Sequence, residues 1–467
     1  MGVDFEKKYR MDDCFAVEER DGKYLYTDLE NGNWLRTNES GRNILNLFDG
    51  KLTLREVIDR YAEQEAFPSS VIEKKVVPLV DRAVQRRLLL QEGDTHQNLS
   101  TEFRTYPNEL WIHVTDKCNM HCPFCYSSSG ASGARILEPA KILHFVSGIP
   151  HDERRGIIIS GGEPLLYPYL PELLRELKAM DFEVTVISNG TMEKDKYDQI
   201  LPYLDALQIS IDGPTEDVYS KTRGLGNFDK AISTLDYVHG KGLKNLIVSF
   251  TTNSFNISTM QDMPEFALKH HVNHIHITRI LPSGRANDIM DKIVPTEKEY
   301  GEAIGRLGLA IIAINKRIEM IRETEEMLLD DEEKTKFITF TTSSDPVRKT
   351  MSQTKMTTCS MGCGTLSIGY DEKVYPCGCL QHDSLAMGTI EDPIDKIMAL
   401  GLEMGKKYGI ENPEMKECYD CKYKYICGGG CRACAYAAGN MQGKDPMCEF
   451  YKERIQKTMW DSPVQNT

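Results

Sequence analysis

Cysteine placement constrains this chain more than any other feature. Of its fourteen cysteines, Cys14 stands alone near the start, three lie at 118–125 and ten at 359–448. The 233 residues between the last two groups contain none. A disulfide framework spreads its cysteines over the elements it staples, whereas metal-binding loops concentrate them. The pattern therefore predicts two or three metal-binding loops. The first residues, MGVDFEKKYR, are charged and have no apolar core, so they do not read as a secretory signal. No run approaches the roughly 18 apolar residues of a membrane span. Reduced thiols and these absences predict a cytoplasmic protein. The net charge of −14 argues against sequence-independent binding to nucleic acid or an anionic membrane, because nothing neutralises phosphates in bulk.

The 467 residues are enough for two to four domains. Residues 1–90 read as a small winged-helix-like domain. Asp21-Gly22 and Asn31-Gly32 are turn signals that bracket a strand, with Asn33 to Thr37 returning beside it. Three helical patterns follow. Thr53 with Glu56 forms a capping box for the second, and Ser69 or Ser70 is expected to cap the third. Residues 91–107 are a polar linker. From 108 to 285, apolar runs at Leu110–Val114, Ile157–Ile159, Val184–Ile187, Leu207–Ile211, Leu246–Phe250 and His274–Ile277 alternate with amphipathic helices. Strand and helix in alternation imply a parallel α/β sheet, here a partial (β/α)6 barrel whose site lies at the C-terminal strand ends. Residues 286–358 read as a helical connector. Its run Asp330-Asp331-Glu332-Glu333 is expected to be a solvated surface. Residues 359–467 are rich in Cys and Gly and poor in long apolar runs, so they are expected to fold around metal.

After the first barrel strand comes Cys118-Asn-Met-His-Cys122-Pro-Phe-Cys125-Tyr126. Three thiolates on one loop can hold three corners of a cubane and leave one iron open, whereas an electron-transfer cluster normally takes four cysteines. A Cys3His zinc site using His121 is the alternative, cramped by the two-residue gaps. The loop resembles the CxxxCxΦC signature of the radical S-adenosylmethionine (SAM) superfamily, and the resemblance continues along the barrel. Ser160-Gly161-Gly162-Glu163-Pro164 resembles the GGEP motif that holds the SAM amine. Ser188-Asn189-Gly190 resembles the ribose-contacting TNG motif. Ser210-Ile211-Asp212-Gly213 and Arg223-Gly224 resemble the SxDG motif and the arginine that meets the SAM carboxylate, and Pro282-Ser283-Gly284-Arg285 closes the barrel region. The resemblance implies a [4Fe–4S] cluster on Cys118, Cys122 and Cys125, with SAM bound by Gly161, Gly162, Glu163, Pro164, Ser188, Asn189, Ser210, Asp212 and Arg223. Phe124 and Tyr126 would shield cluster and adenine, or simply pack. The implied chemistry is reductive cleavage of SAM to a 5′-deoxyadenosyl radical that takes hydrogen from a substrate.

Cys418-x2-Cys421-x5-Cys427-x3-Cys431, with Cys448 beyond and Cys359 and Cys377 upstream, resembles the SPASM domain of radical SAM proteins. That implies two auxiliary [4Fe–4S] clusters, hence three in all. Carried over by position, Cys359, Cys377 and Cys431 hold the first, with Cys363 as candidate fourth ligand. Cys418, Cys421, Cys427 and Cys448 hold the second. Glu372 stands where the family usually has Gly. Cys379 and Cys434 have no assigned role, and Cys14 is expected to be buried and inert.

Phe15-x-Val17, Asp21-Gly22, Leu35-Arg36-Thr37-Asn38, Gly41, Asp49-Gly50 and Leu54 resemble the small peptide chaperone of pyrroloquinoline quinone biosynthesis. This implies leader-peptide recognition by strand addition. The three parts together resemble a peptide maturase that installs a thioether or carbon–carbon crosslink, reduced by a donor such as ferredoxin or flavodoxin. Two other readings compete. A formylglycine-generating dehydrogenase would carry an Asp after its second SPASM cysteine, where this chain has Gly378. A maturase of a small cofactor such as a tetrapyrrole would keep the N-terminal fold only as a vestige.

Overall fold

A computed structural model describes residues 3–99, 101, 103, 105–281, 283–325, 336–342 and 355–461. Pro282 and the run Asp330–Glu333 lie outside the described residues.

The N-terminal region holds two small sheets and three helices. Strands β2 (Ala16–Arg20), β3 (Lys23–Asp28) and β4 (Asn33–Asn38) form an antiparallel sheet in that order. Strands β1 (Lys8–Met11), β5 (Asp49–Thr53) and β6 (Leu89–Gln91) form another, with β1 central. Around them run α1 (Glu39–Leu45), α2 (Leu54–Glu65) and α3 (Ser69–Gln85). The Thr53–Glu56 capping box is present, each side chain meeting the other residue's backbone N–H. The serine cap of α3 is not. Pro68 takes the cap position without a side-chain bond, its fixed φ already suiting the entry to a helix. Cys14 is exposed, not buried, because it sits in the turn between β1 and β2 where no element covers it.

All six expected barrel strands form. They are β7 (Glu109–His113), β8 (Gly156–Ser160), β9 (Glu183–Ser188), β10 (Ala206–Ser210), β11 (Leu246–Thr252) and β12 (His274–Arg279), every adjacent pair parallel. Ile157, Ile159, Val184, Val186, Leu207, Ile209, Val248 and Ile275 are sealed in one continuous core. Each such side chain stabilises by about 1.5–3 kcal/mol relative to exposure.

The sheet does not stop at six strands. β13 (Thr339–Thr342) adds parallel to β12. At the other edge, β14 (Thr365–Ile368) adds parallel to β7 and continues through β15 (Lys373–Tyr375) and β16 (Gly388–Thr389). The cysteine-rich region thus begins as an extension of the barrel sheet, which covers an otherwise open edge. Glu372, at the β14–β15 turn, has φ +66, the left-handed conformation that explains a family glycine there. Its carboxylate meets Lys141 at 2.7 Å.

The N-terminal region packs on the C-terminal one. Leu25 and Trp34 meet Tyr423, Ile426, Ile455 and Met459. The last two lie on the helix Cys448–Asp461. Among the described residues, no helix is long and apolar enough to cross a membrane.

Candidate functional site

The loop bearing Cys118, Cys122 and Cys125 leaves the C-terminal end of β7 and is held by backbone from two other loops. After β8, Gly162 N–H donates to the Thr115 carbonyl (2.7 Å) and Glu163 N–H to that of Lys117 (2.9 Å). A Cβ on Gly161 or Gly162 would lie 2.4 or 2.2 Å from those same two carbonyl oxygens. These glycines are therefore required by the approach of the two loops. After β12, Arg285 Nε donates to the Cys122 carbonyl (2.9 Å) and Arg285 N–H to that of Cys125 (3.1 Å). Ser283 Oγ donates to the Tyr126 carbonyl (3.1 Å). The last strand thus pins the loop that follows the first.

The other expected residues gather around this loop. Glu163 is sealed, and its carboxylate accepts from Ser188 Oγ (2.9 Å), Asn189 N–H (2.8 Å) and Leu165 N–H (3.2 Å). Burial lifts its pKa to about 7. It ties the β8 and β9 loops together. Asn189 Nδ2 donates to Asn119 in the cysteine loop (2.8 Å). Asp212, sealed, holds Arg223 Nε at 2.5 Å and accepts Thr251 N–H at 2.8 Å. The Arg223 guanidinium lies 5.6 Å from the Phe124 ring centroid. Phe124 itself packs with Ile280, Ala286 and Ile293. Pro164 opens a buried 3-10 turn, and Ser210 ends β10.

Tyr126 belongs to a network that the motifs do not announce. Its hydroxyl meets His113 Nε2 at 2.8 Å, while His113 Nδ1 meets Gln381 at 2.7 Å and Ser367 at 3.2 Å. His113 is fully buried, which pulls its pKa down to about 4 and keeps the ring neutral. These four residues join the cysteine loop, β7 and the cysteine-rich region. Arg285 closes the Pro282-Ser283-Gly284-Arg285 motif, to which the sequence assigns no role. For His113, Gln381 and Asn119 the sequence carried no signal.

In the C-terminal region, Cys418, Cys421, Cys427 and Cys448 line one small cavity. Cys359, Cys377 and Cys431 pack together in a separate cluster with Met361, Leu380 and Ala433. Cys363 is buried beside Phe103 and Gly405. Cys434 is buried with its sulfur within 4.8 Å of Cys431 Sγ. Cys379 is exposed. All fourteen thiols are free. Burial pushes Cys118 up to about 11 and Cys427 up to about 12, so at neutral pH these thiols keep their protons unless a bound metal displaces them. Thiol-only sets of three and four suit iron–sulfur clusters.

Residues 112–270 match the radical SAM superfamily, and residues 25–89 match coenzyme PQQ synthesis protein D, PqqD. The chain is 25% identical over 349 residues to mycofactocin maturase MftC of Mycobacterium tuberculosis, covering 73% of this chain and 82% of that protein. It is 26% identical over 365 residues to the AdoMet-dependent heme synthase of Methanosarcina barkeri, covering 74% and 97%. Streptococcus suis SuiB bound to S-adenosylmethionine superposes with TM-score 0.55 at 13% identity, covering 94% of this chain and all of that one. At that identity the likeness is one of fold.

Proposed function

This chain carries a radical SAM domain and a PqqD-like domain; from that premise we propose that it modifies a ribosomally made precursor peptide, installing a thioether or carbon–carbon crosslink. In this reading Cys118, Cys122 and Cys125 hold the cluster that binds SAM. Cys359, Cys363, Cys377 and Cys431 hold a first auxiliary [4Fe–4S] cluster, and Cys418, Cys421, Cys427 and Cys448 a second. Reduced by a ferredoxin- or flavodoxin-like donor, the cluster on Cys118, Cys122 and Cys125 would supply the one-electron cleavage of SAM whose 5′-deoxyadenosyl radical takes hydrogen from the peptide.

The chain's own residues do the positioning. Gly161 and Gly162 let the β8 loop close on the cysteine loop, and Arg285 fixes that loop from the far side. Asp212 holds Arg223 beside Phe124, where the guanidinium would meet the SAM carboxylate. Asn189, steadied by Asn119, would meet the ribose. Neutral His113 holds the Tyr126 hydroxyl in place.

One observation carries the peptide reading. The PqqD-like sheet packs directly on the helix that begins at Cys448, so a leader bound there is delivered beside the cysteine-rich region. Strand β4 is an edge of its sheet, paired only to β3 among the described residues. A leader adding a strand there gains backbone bonds, and pockets against α3 add selectivity. Titration with the precursor peptide tests this. Leu35→Pro removes a backbone donor from β4, so it should weaken binding and slow crosslinking while peptide-free SAM cleavage survives. Deletion of residues 1–90 that changed neither binding nor crosslinking would refute leader recognition here. The heme synthase is as similar to this chain as the peptide maturase is, so that outcome would favour the tetrapyrrole reading.

A further inference from the structure

Arg279 ends β12, and its side chain leaves the barrel for the cysteine-rich region. Its NH1 and NH2 groups donate to the two carboxylate oxygens of Asp445, each at 3.1 Å. The two side chains are only 12% and 1% exposed. Asp445 also accepts the N–H of Cys431 (2.7 Å) and of Met447 (2.8 Å), and its own carbonyl accepts the N–H of Cys448 (2.9 Å). A Cβ on Gly430 would lie 2.7 Å from the Asp445 Cβ, so the contact is close. One aspartate therefore fixes the backbone of one candidate ligand from each auxiliary set, and a barrel arginine fixes the aspartate.

Stability alone is a weak reason for such a pair. Desolvating two ions costs several kcal/mol each, and apolar residues of similar volume often serve as well. What a buried pair provides is a fixed local field. A carboxylate oxygen of Asp445 lies within 4.8 Å of the sulfurs of Cys431 and Cys434. Charges and hydrogen bonds around cysteine ligands tune a cluster's reduction potential, and burial strengthens them. We propose that Arg279 and Asp445 are positioning residues that set the reduction potential of the first auxiliary cluster, Asp445 lowering it and Arg279 offsetting Asp445. This rests on the reading that Cys359, Cys377 and Cys431 hold that cluster.

The test is a redox titration, followed by electron paramagnetic resonance, of the full reconstituted chain with Cys118, Cys122 and Cys125 changed to Ala. Only auxiliary clusters then contribute. Arg279→Gln leaves the carboxylate uncompensated, so the midpoint should fall. Asp445→Asn leaves the guanidinium uncompensated, so the midpoint should rise. Arg279→Lys should stay near the parent. Opposite signs are what a merely structural pair would not give. Unchanged midpoints, or shifts in one direction, overturn the proposal. If both neutral variants lose iron, Arg279→Lys decides: retained iron at the parent midpoint supports the proposal, and lost or shifted signal there overturns it. A parent that itself lacks auxiliary iron refutes the ligand assignment, and the proposal falls with it.

Discussion

The chain's two cysteine regions are built in opposite ways. The loop at 118–125 rests on a finished scaffold. Its backbone is held by the β8 loop and by Arg285, and beneath it lies a core of Ile, Val and Leu that needs no metal. The segment 418–448 has no strand of its own among the described residues and touches that core through Cys427 and Met447. Its helices Lys416–Tyr419 and Lys424–Cys427 are four residues each, and Gly428, Gly429 and Gly430 all have positive φ. Sealed Arg432 ties it together by donating to the carbonyls of Met441 (2.9 Å), Gly443 (2.7 Å) and Gly429. Three left-handed glycines in a row are entropically costly. On the proposed assignment, the first site would be a metal loop added to a fold, whereas the second would be a fold that depends on its metal.

The largest effect should come from breaking that second dependence. Changing Cys418, Cys421, Cys427 and Cys448 to Ala should leave the cysteine-rich region open to limited proteolysis, since metal-coupled folding of such segments is worth on the order of 10 kcal/mol. The same change at Cys118, Cys122 and Cys125 should leave the barrel's thermal transition in place. Equal protease sensitivity in the two variants would erase the contrast.

A sharper cut is Gly162→Ala. Its Cβ would sit 2.2 Å from a backbone oxygen, and backbone cannot move aside cheaply. It should cost about 3 kcal/mol or displace the loop, lowering bound iron by about four atoms per chain. Gly240→Ala, with nothing within 4 Å, serves as the control and should bind iron normally.

The seam between the regions should respond to pH. His113, with pKa about 4 when folded against an ordinary value near 6.5, is neutral in the native chain. The unfolded chain binds the extra proton between those values. Its contribution is therefore complete above about pH 6.5 and is lost as pH falls toward 4. Going from pH 7.5 to 5 should cost about 2 kcal/mol through this residue. His113→Asn should show a flatter denaturation midpoint over that range, and an unchanged slope would remove the assigned role.

The smallest effect is expected at Glu372. Gly relieves a left-handed conformation but forfeits the Lys141 contact and adds unfolded-chain entropy. Glu372→Gly should shift stability by less than about 1 kcal/mol by chemical denaturation.

The same contrast explains what the sequence revealed. The six barrel strands were legible because Ile157-Ile158-Ile159 or Val184 and Val186 read as strands wherever they occur, and the motifs sit at fixed strand ends. Strands β1, β5 and β6 were not, because three to five residues of mixed polarity such as Asp49–Thr53 carry no period. Neither was the extension of the sheet by β14, since Thr365–Ile368 pairs with a strand more than 250 residues earlier. At the site, the contacts of Glu163 with Ser188 and Asn189 were not legible, because they form only where the β8 and β9 loops meet. His113, Gln381 and Ser367 become a network only once β7 and β14 lie side by side.

Radical chemistry at the three-cysteine loop is read out in SAM cleavage. Reconstituted anaerobically, the wild type should bind about twelve iron atoms per chain and, with dithionite and SAM, release 5′-deoxyadenosine. The Cys118, Cys122 and Cys125 to Ala variant should keep about eight and release none. Deoxyadenosine from both proteins at the same rate, or from neither while the wild type holds its full iron, would rule out radical chemistry at this loop.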